Sequence, residues 1–459
     1  MTIRIERDSM GELNVAKDAL YSAQTQRAIN NFPISGQAMP EPFIRALLLA
    51  KNAAARANTK LQLLDPAIGN AIVEAVHELL EQDNWMRHFP VDVFQTGSGT
   101  SSNMNANEVL ATLASRKSHL TVSPNDHVNY GQSSNDIIPS TIHISAAMEL
   151  NNKLLPALTH LKNTIQAKAK TLKEQVKTGR THLMDAMPVR FDQSLLSWST
   201  QIDQNISALT SVQPLLQSLA QGGTAVGTGI NAHPEFAHQF NAILTELTGL
   251  TFKPADNLFT HISSQDVAVS LSGQLKMTAV SLMKIANDLR WMNSGPLGGL
   301  GEIELEALQP GSSIMPGKVN PVIPEATAMA AAQVIGNDAA ITIGGQSGNF
   351  ELNVMLPMIA RNLLESIKLI TEVSRLLADK AISSFRVKED NLKQALSRNP
   401  ILVTALNPII GYLKAAEIAK QAYKEGVPVI DVAEKNTELS RNELEQLLNP
   451  EKLTRGGIE

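Results

Sequence analysis

Four short segments of the chain combine glycine, serine, threonine and asparagine with few charges, and each lies beside a long apolar stretch. They are residues 96–103 (TGSGTSSN), 132–136 (QSSND), 179–182 (GRTH) and 311–321 (GSSIMPGKVNP). Small residues let backbone N–H groups approach a ligand, and hydroxyl and amide side chains add neutral donors. Any one segment alone is more simply explained as a loop or a helix cap. Four alike, with a few cations among them, predict a shared site for a small dianion.

Two residues in or after these segments have types that are suited to proton transfer. His182 lies in a polar turn beside Arg180, although a single histidine near a helix start is more often structural. Glu325 follows Pro321 and Pro324, and prolines at this spacing predict a helix start with the glutamate in its first turn. A glutamate there could simply complement the helix dipole, or it could hold an imidazole in one tautomer and charge state.

The familiar nucleotide-binding and metal-binding patterns do not fit this chain. The run 311–321 has one residue too many between its glycines for a P-loop, and valine stands where that motif needs serine or threonine. The segment 227–229 (GTG) follows a predicted helix, whereas a dinucleotide fold requires a strand there. His233 and His238 lack the spacing of a zinc-binding helix. We therefore predict no metal and no cofactor.

Charge and composition exclude several classes of protein. The chain has 459 residues, a net charge of −5 and no cysteine. The acidic balance argues against a nucleic-acid partner, which usually demands a basic face, and cysteine-ligated centres are ruled out. No apolar run approaches the ~18 residues of a membrane helix, and the first residues lack the apolar core of a signal peptide. We expect a cytoplasmic protein with no membrane partner, in which lysine, arginine and helix N-termini attract the anion.

Hydrophobic periodicity predicts an all-α fold in which five long helices dominate the middle of the chain. Their predicted ranges are 140–177, 194–219, 264–292, 321–343 and 357–382. Such helices are roughly 40–55 Å long, which predicts a long bundle. Pro156 and Pro214 fall inside two of them and should kink or locally break them. The predicted domains are a mostly helical N-terminal domain, the five-helix bundle and a small helical C-terminal domain, at residues 1–137, 138–389 and 390–459.

The run Gly311–Pro321 resembles the signature of the fumarase/aspartase superfamily, and the likeness covers essentially the whole chain. Further segments resemble class II fumarases in the same order: TGSGTSSNMNANEV at 96–109, QSSND at 132–136, GRTHLMDAMP at 179–188, GGTAVGTGIN at 222–231 and LVTALNP at 402–408. Two positions favour fumarase over aspartase. Aspartases typically carry glutamine in place of His182 and alanine in place of Gly317.

The resemblance implies a fold and an assembly. It implies a three-domain protein whose central five-helix bundles join four chains into a twenty-helix core. In such a homotetramer each active site is built from three subunits. It also implies a cofactor-free hydro-lyase of the tricarboxylic acid cycle, with the dicarboxylates fumarate and malate as its small-molecule partners.

The resemblance further implies roles for individual residues. Ser312, on the signature loop, would remove a proton next to a carboxylate of malate and leave an aci-carboxylate carbanion. His182, paired with Glu325, would activate water for hydration and protonate the departing hydroxide in reverse. Lys318 and Asn320 would hold a substrate carboxylate. The other substrate-binding residues that it implies are Ser98, Thr100, Ser133, Ser134, Asn135 and Thr181.

The chain departs from the family pattern in two places. Many members carry His-Pro-Asn-Asp in a second, non-catalytic dicarboxylate site, where the corresponding residues here are Ser123, Pro124, Asn125 and Asp126. The missing histidine weakens the case for that second site. The run 190–194 (RFDQS) replaces a segment that usually contains Gly-Gln-Glu, which could alter the surroundings of His182.

Two other functions fit much of the same sequence. One is another enzyme of the superfamily, such as aspartase or a hydratase for a methylated fumarate such as mesaconate. The other is a structural protein that has kept the fold and lost activity, as lens crystallins of this superfamily have. The intact set of chemically suited residues counts against loss of activity; the set is Ser312, Lys318, Asn320, His182 and Glu325.

Overall fold

The computed structural model describes residues 3–457, and α-helices dominate it, which confirms the all-α prediction. Within the described residues, strands occur only in two-stranded sheets. The elements of the first half are β1 (Ile3–Asp8), β2 (Gly11–Ala16), α1 (Ala23–Asn31), α2 (Glu41–Lys60), α3 (Pro66–Glu81), α4 (Thr100–Ser118), α5 (Ser134–Glu149), α6 (Leu155–Thr171), β3 (Val176–Thr181), β4 (Met184–Arg190) and α7 (Phe191–Leu216).

The second half continues in the same manner. Its longer elements are α8 (Phe236–Thr248), α10 (Asp266–Met292), α11 (Val322–Gln346), α12 (Leu356–Leu377), α13 (Glu389–Arg398), α15 (Tyr412–Glu425), α16 (Val429–Asn436) and α17 (Arg441–Leu447). The short ones are β5 (Ser218–Leu219), β6 (Lys253–Pro254), α9 (Leu258–Ser263), β7 (Ile303–Glu304), β8 (Gly348–Asn349), β9 (Leu352–Asn353), β10 (Arg386–Val387), α14 (Asn407–Ile410) and α18 (Pro450–Leu453).

The five long helical segments are present, and most of their ends lie within one turn of the predicted positions. The first segment was wrong at both ends. It begins at Ser134 instead of residue 140, and helical structure stops at Thr171 instead of residue 177, since the β3 strand begins at Val176. There the chain pairs with β4 to form an antiparallel hairpin. Such pairing depends on a partner further along the chain, which the periodicity of a single segment does not reveal. The N-terminal hairpin of β1 and β2 is a second strand pair that the helical interpretation missed.

Two prolines interrupt or end a helix, as the sequence predicts. A π turn at Leu150–Leu154 separates α5 from α6, and Pro156 is the second residue of α6. Proline has no N–H to donate, and its ring crowds the carbonyl four residues back, so a wider turn relieves the clash. Pro214 lies in the last turn of α7, which ends at Leu216.

The described residues fall into two compact units. The first unit comprises the residues up to Pro156, Asn205–Ala279 and Ala330–Thr371. At its centre α2 packs against α3, α5 and α8. The buried face of α2 is mostly aliphatic and alanine, but it also contains Lys51, which is 0% exposed.

The second unit comprises Ala157–Gln204, Val280–Met329 and the residues from Glu372 on. It holds the β3–β4 hairpin, against which α13 and α18 pack. Its C-terminal part has a small apolar core that includes Leu406, Ile418 and Leu444. The division into three domains at residues 137 and 389 stays a prediction. No helix among residues 3–457 is both long and apolar enough to cross a membrane.

A buried histidine in the first unit makes stability depend on pH. His143 is 4% exposed, its Nδ1 lies 3.0 Å from the carbonyl oxygen of Ser218, and its ring meets that of His261 edge-on. Burial, followed by the neighbouring His261, lowers the pKa of His143 from 6.5 to about 4. The folded chain therefore keeps this imidazole neutral at a pH where the unfolded chain protonates it.

Replacing His143 with asparagine should flatten the loss of stability in acid, because the amide can still donate to Ser218 without titrating. As the pH falls from 6.5 to 4, the unfolded chain binds a proton that the folded chain excludes, which costs about 3 kcal/mol. Thermal midpoints measured across this window should fall more steeply for the parent than for the variant. Parallel curves would mean that His143 does not carry the effect.

Candidate active site

The polar turn at residues 96–100 leads directly into α4. The hydroxyl oxygens of Ser98 and Thr100 lie 2.8 Å apart, and both residues are half-buried. Gly99 caps the helix with a φ of 74°, and a Cβ at this position would come within 2.8 Å of the Ile138 side chain. Glycine therefore allows the turn to lie directly against α5.

The second polar segment forms the start of α5. Ser133 caps the helix, and its side chain accepts from the N–H of Asn135. The Ser134 hydroxyl accepts from Asn103 Nδ2 at 3.0 Å, and the Asn135 amide donates to the carbonyl of Ala225 at 2.8 Å. Because Asn103 belongs to α4, its bond joins the first turns of two helices. Neighbouring helix N-termini carry unpaired N–H groups and partial positive charge, which suits a carboxylate ligand.

A buried lysine of α2 forms hydrogen bonds with the turn that precedes α5. Lys51 Nζ donates to Asn129 Oδ1 at 3.0 Å and to Gln132 Oε1 at 2.8 Å. Burial lowers the pKa of Lys51 to about 7, and the charge of Asp136 opposes that shift. Sequence reasoning missed this residue, yet a signal existed, because Lys51 falls in phase with the apolar positions Ile44 and Leu47 of α2.

A buried carboxylate fixes the start of α5 from the other side. Asp136 is 0% exposed and accepts from the N–H groups of Ser133, Gly222 and Thr224 and from Gln221 Nε2. Burial raises the pKa of Asp136 to about 6, and the backbone donors oppose that rise. The four donors favour the ionised form of this carboxyl group. Sequence reasoning treated this residue only as part of the polar segment.

In the second unit, hydrogen bonds join the two ends of the signature loop. The N–H of Gly311 donates to the Lys318 carbonyl at 2.8 Å, and Asn320 Nδ2 donates to the Gly311 carbonyl at 2.6 Å. A Cβ on Gly311 would lie 2.6 Å from the Lys318 oxygen, so glycine is required there. The two ends of the loop are thus held together, while most of the residues between them are exposed.

Ser312 sits at the base of this loop in an environment that favours its deprotonated form. Its Oγ accepts from the backbone N–H groups of Ile314 at 3.2 Å and Met315 at 3.0 Å. Donors aimed at an oxygen stabilise negative charge that develops on it. The geometry therefore suits a serine that gains and loses a proton.

A cavity of about 690 Å³ lies beside the loop, and Lys318, Asn320 and Glu325 are among its lining residues. Glu325 projects from the first turn of α11, as the two prolines predicted. Arg290 and Lys388 also line the cavity and add positive charge. Sequence reasoning missed both, because neither stands in a distinctive motif.

The β3–β4 hairpin presents Thr181 and His182, both of which are exposed. His182 and Leu183 form the two-residue turn at its tip, with φ angles of 55° and 60°. Within one chain, neither His182 nor Ser312 is among the residues that line the cavity. The structure therefore brings together Lys318, Asn320 and Glu325 and leaves His182 on a projecting tip.

The segment at residues 123–126, where related proteins carry a second dicarboxylate site, forms hydrogen bonds within itself. The Ser123 hydroxyl donates to an Asp126 carboxylate oxygen at 2.8 Å and accepts from the Asp126 N–H at 3.1 Å. Asn125 is exposed. The second site therefore stays a prediction. Among residues 3–457, no three histidine, aspartate or glutamate side chains group as a metal site would require.

Family models match most of the chain. A lyase model matches residues 11–336, and a model of the fumarase C C-terminus matches residues 402–455. Among curated proteins, fumarate hydratase class II 2 of Pseudomonas aeruginosa is 71% identical over 455 residues, which cover 99% of each chain. Fumarate hydratase class II of Mycobacterium tuberculosis is 52% identical over 423 residues, or 92% of this chain and 89% of the relative.

Solved structures agree with this relationship. The class II fumarase of Schistosoma mansoni superimposes with a TM-score of 0.95 at 37% identity and covers 99% of both chains. A fumarate lyase:delta crystallin from Brucella melitensis bound to cobalt gives a TM-score of 0.93 at 39% identity, over 99% of this chain and all of that one. With family models, curated relatives and solved structures in accord over nearly its full length, the chain belongs to the class II fumarate hydratase family.

Proposed function

We propose that this protein catalyses the reversible addition of water to fumarate to give malate, as a step of the tricarboxylic acid cycle. The observation that carries the proposal is the 71% identity, over 99% of both chains, to a relative named fumarate hydratase class II. The residues suited to the reaction are all present, which supports activity over a structural role. Each of these residues acts in one of three ways.

The first task is to hold a dianion. Lys318 supplies a positive charge and Asn320 an amide at the edge of the cavity, and together they bind one carboxylate. The starts of α4 and α5 supply neutral donors for the substrate; these are Ser98, Thr100, Ser133, Ser134 and Asn135, with Thr181 adding another from the hairpin. Neutral donors and helix dipoles bind an anion without adding mobile charges that water would screen.

The second task is proton transfer at carbon. In hydration, hydroxide adds to one alkene carbon and the electron pair moves to the other carbon and into its carboxylate, giving the aci-carboxylate form. Ser312 then donates its hydroxyl proton to that carbon, and in dehydration it removes the same proton. The N–H groups of Ile314 and Met315 stabilise the alkoxide that remains on Ser312.

The third task is activation of water. A neutral His182 removes a proton from water as the oxygen attacks, and Glu325 holds the opposite ring nitrogen and stabilises the imidazolium. In the reverse direction the imidazolium protonates the departing hydroxide. Because His182 projects from a hairpin tip and Glu325 lines the cavity, we propose that the two groups come from different protomers.

A homotetramer accounts for this arrangement and for an unusual helix surface. In the first unit, α11 exposes no charged residue. Its exposed residues are the small or apolar Ala332, Ile335, Gly336, Ala339 and Ile343 and the uncharged polar Gln333, Thr342 and Gln346. Its Asp338 points inward and accepts from Ser272 and Lys276. A long uncharged face of small residues suits close packing against helices of other copies. The twenty-helix core, the three-subunit site and the cytoplasmic location stay predictions.

The substrate can be tested directly. The purified chain, treated with a chelator, should form the conjugated diacid from malate, which can be followed by ultraviolet absorbance. Aspartate and methylmalate are incubated in parallel as alternative substrates. Turnover of aspartate without malate would replace the proposed function with an ammonia-lyase, and no turnover at all would favour a structural protein.

Ser312→Ala and His182→Asn should each lower kcat by about 10²–10⁴-fold, since each removes a group that transfers a proton. Asparagine tolerates the positive φ at position 182, so the hairpin should persist. Steady-state rates and thermal midpoints are measured together. The neighbouring exposed serine provides the control, because Ser313→Ala should keep full activity. A fully active Ser312→Ala enzyme would remove Ser312 from the role of base.

Ile335→Lys should dissociate the tetramer and abolish activity, because it places a charge on the uncharged face of α11. Light scattering coupled to gel filtration gives the mass of the assembly. Tyr423→Lys is the matched control, since Tyr423 is 81% exposed on α15, a different helix. An Ile335→Lys protein that stays tetrameric and active would show that this face is not an interface.

A further inference from the structure

A buried carboxylate joins the hairpin that presents His182 to the rest of the second unit. Glu302 is 3% exposed, and its two oxygens face two cations of β3. Arg180 Nη1 donates to Oε1 at 2.8 Å, and Lys177 Nζ lies 3.1 Å from Oε2. The lysine contact is an ion pair, and the ammonium also donates to the Thr178 carbonyl at 3.2 Å.

A bulge in β3 makes this double contact possible. Residues three apart in a regular strand face opposite sides of a sheet, so the side chains of Lys177 and Arg180 would normally diverge. The register shifts between Thr178 and Arg180, which turns both cations towards one carboxylate. Gly179 occupies the bulge, where a Cβ would come within 2.5 Å of the Met187 carbonyl.

Glu302 is itself held at both backbone groups. Its N–H donates to the Met292 carbonyl at the end of α10, and its carbonyl accepts from the N–H of Lys388 just after β10. The carboxylate is therefore a fixed point between two parts of the second unit. Burial lowers the pKa of Lys177, and the charge of Glu302 opposes that shift.

The tip of the hairpin needs an external support of this kind. His182 and Leu183 both have positive φ, as a type I′ turn requires, and neither is the asparagine, aspartate or glycine that such a turn prefers. Positive φ at such residues costs roughly 1–3 kcal/mol each and persists only where surrounding contacts enforce it. The Arg180 contact lies two residues before His182, on the strand that enters the turn.

We propose that Glu302 is a positioning residue for His182, which fixes the strained turn through Arg180 and Lys177 so that the imidazole meets the substrate at a productive angle. The inference rests on the proposed hydration of fumarate, in which His182 activates water. It assigns to Glu302 no contact with the substrate. Its effect on catalysis passes through His182 alone.

A double-mutant cycle tests whether Glu302 affects catalysis through His182. Glu302→Gln should lower kcat about 10- to 100-fold and change KM for fumarate much less, because a misplacement of roughly 1 Å has effects of this size. In a His182→Asn background, the same substitution should have little further effect on kcat. A purely structural role would instead multiply the two losses, and that result would overturn the proposal.

Hydrogen exchange provides a second measurement that needs no activity. Amides at 181–185 should exchange faster in Glu302→Gln while the rest of the chain keeps its protection. Glu389→Gln is the matched control, because Glu389 accepts from Gln175 at the base of the same hairpin and should leave the tip unchanged. Equal exchange of the tip in parent and Glu302→Gln would overturn the proposal.

The two hypotheses fail in different ways. A parent enzyme that does not hydrate fumarate would refute the proposed function, while the exchange experiment would still decide whether Glu302 fixes the turn. If Glu302→Gln folds poorly, Lys177→Met removes one cation and keeps the Arg180 contact. It should show the same lack of additivity with His182→Asn, at a smaller fold-change.

Discussion

Polar loops that offer their N–H groups to a ligand cannot also bury those groups, so something else must fix their shape. In this protein, buried charged groups beneath the loops fix their shape. Lys51 holds the turn before α5, Asp136 holds the start of that helix, and Glu302 holds the hairpin with His182. Each makes hydrogen bonds or ion pairs that offset the cost of burying a charge. The N–H groups on the exposed side of the loops therefore remain free to bind a dianion.

The long helices could be predicted because their apolar spacing is a local property that the helix itself satisfies. The β3–β4 hairpin could not, since its turn is His182-Leu183 and lacks the asparagine or glycine that normally indicates such a turn. Lys51 was within reach, because a lysine in the apolar phase of a helix demands a buried partner. Glu302 gave no signal, since its partners Lys177 and Arg180 lie more than a hundred residues earlier in the chain.

The candidate site was predicted residue by residue from a resemblance, and a single chain realises only part of it. Lys318, Asn320 and Glu325 share a cavity, while His182 stands on an exposed tip. A sequence states which side chains are available, but the meeting of groups from different copies is a property of the assembly. The uncharged face of α11 is the surface on which we base the proposed assembly.

The strained tip of the hairpin also bears on how this enzyme would respond to selection in the laboratory. Asparagine and glycine relieve the backbone at position 182, so replacing the histidine with either would gain heat resistance while discarding the imidazole. A screen scored on survival at high temperature would therefore enrich inactive chains at this codon. Directed evolution of the scaffold must score turnover alongside survival, because substitutions that raise thermal stability at this turn remove catalytic activity.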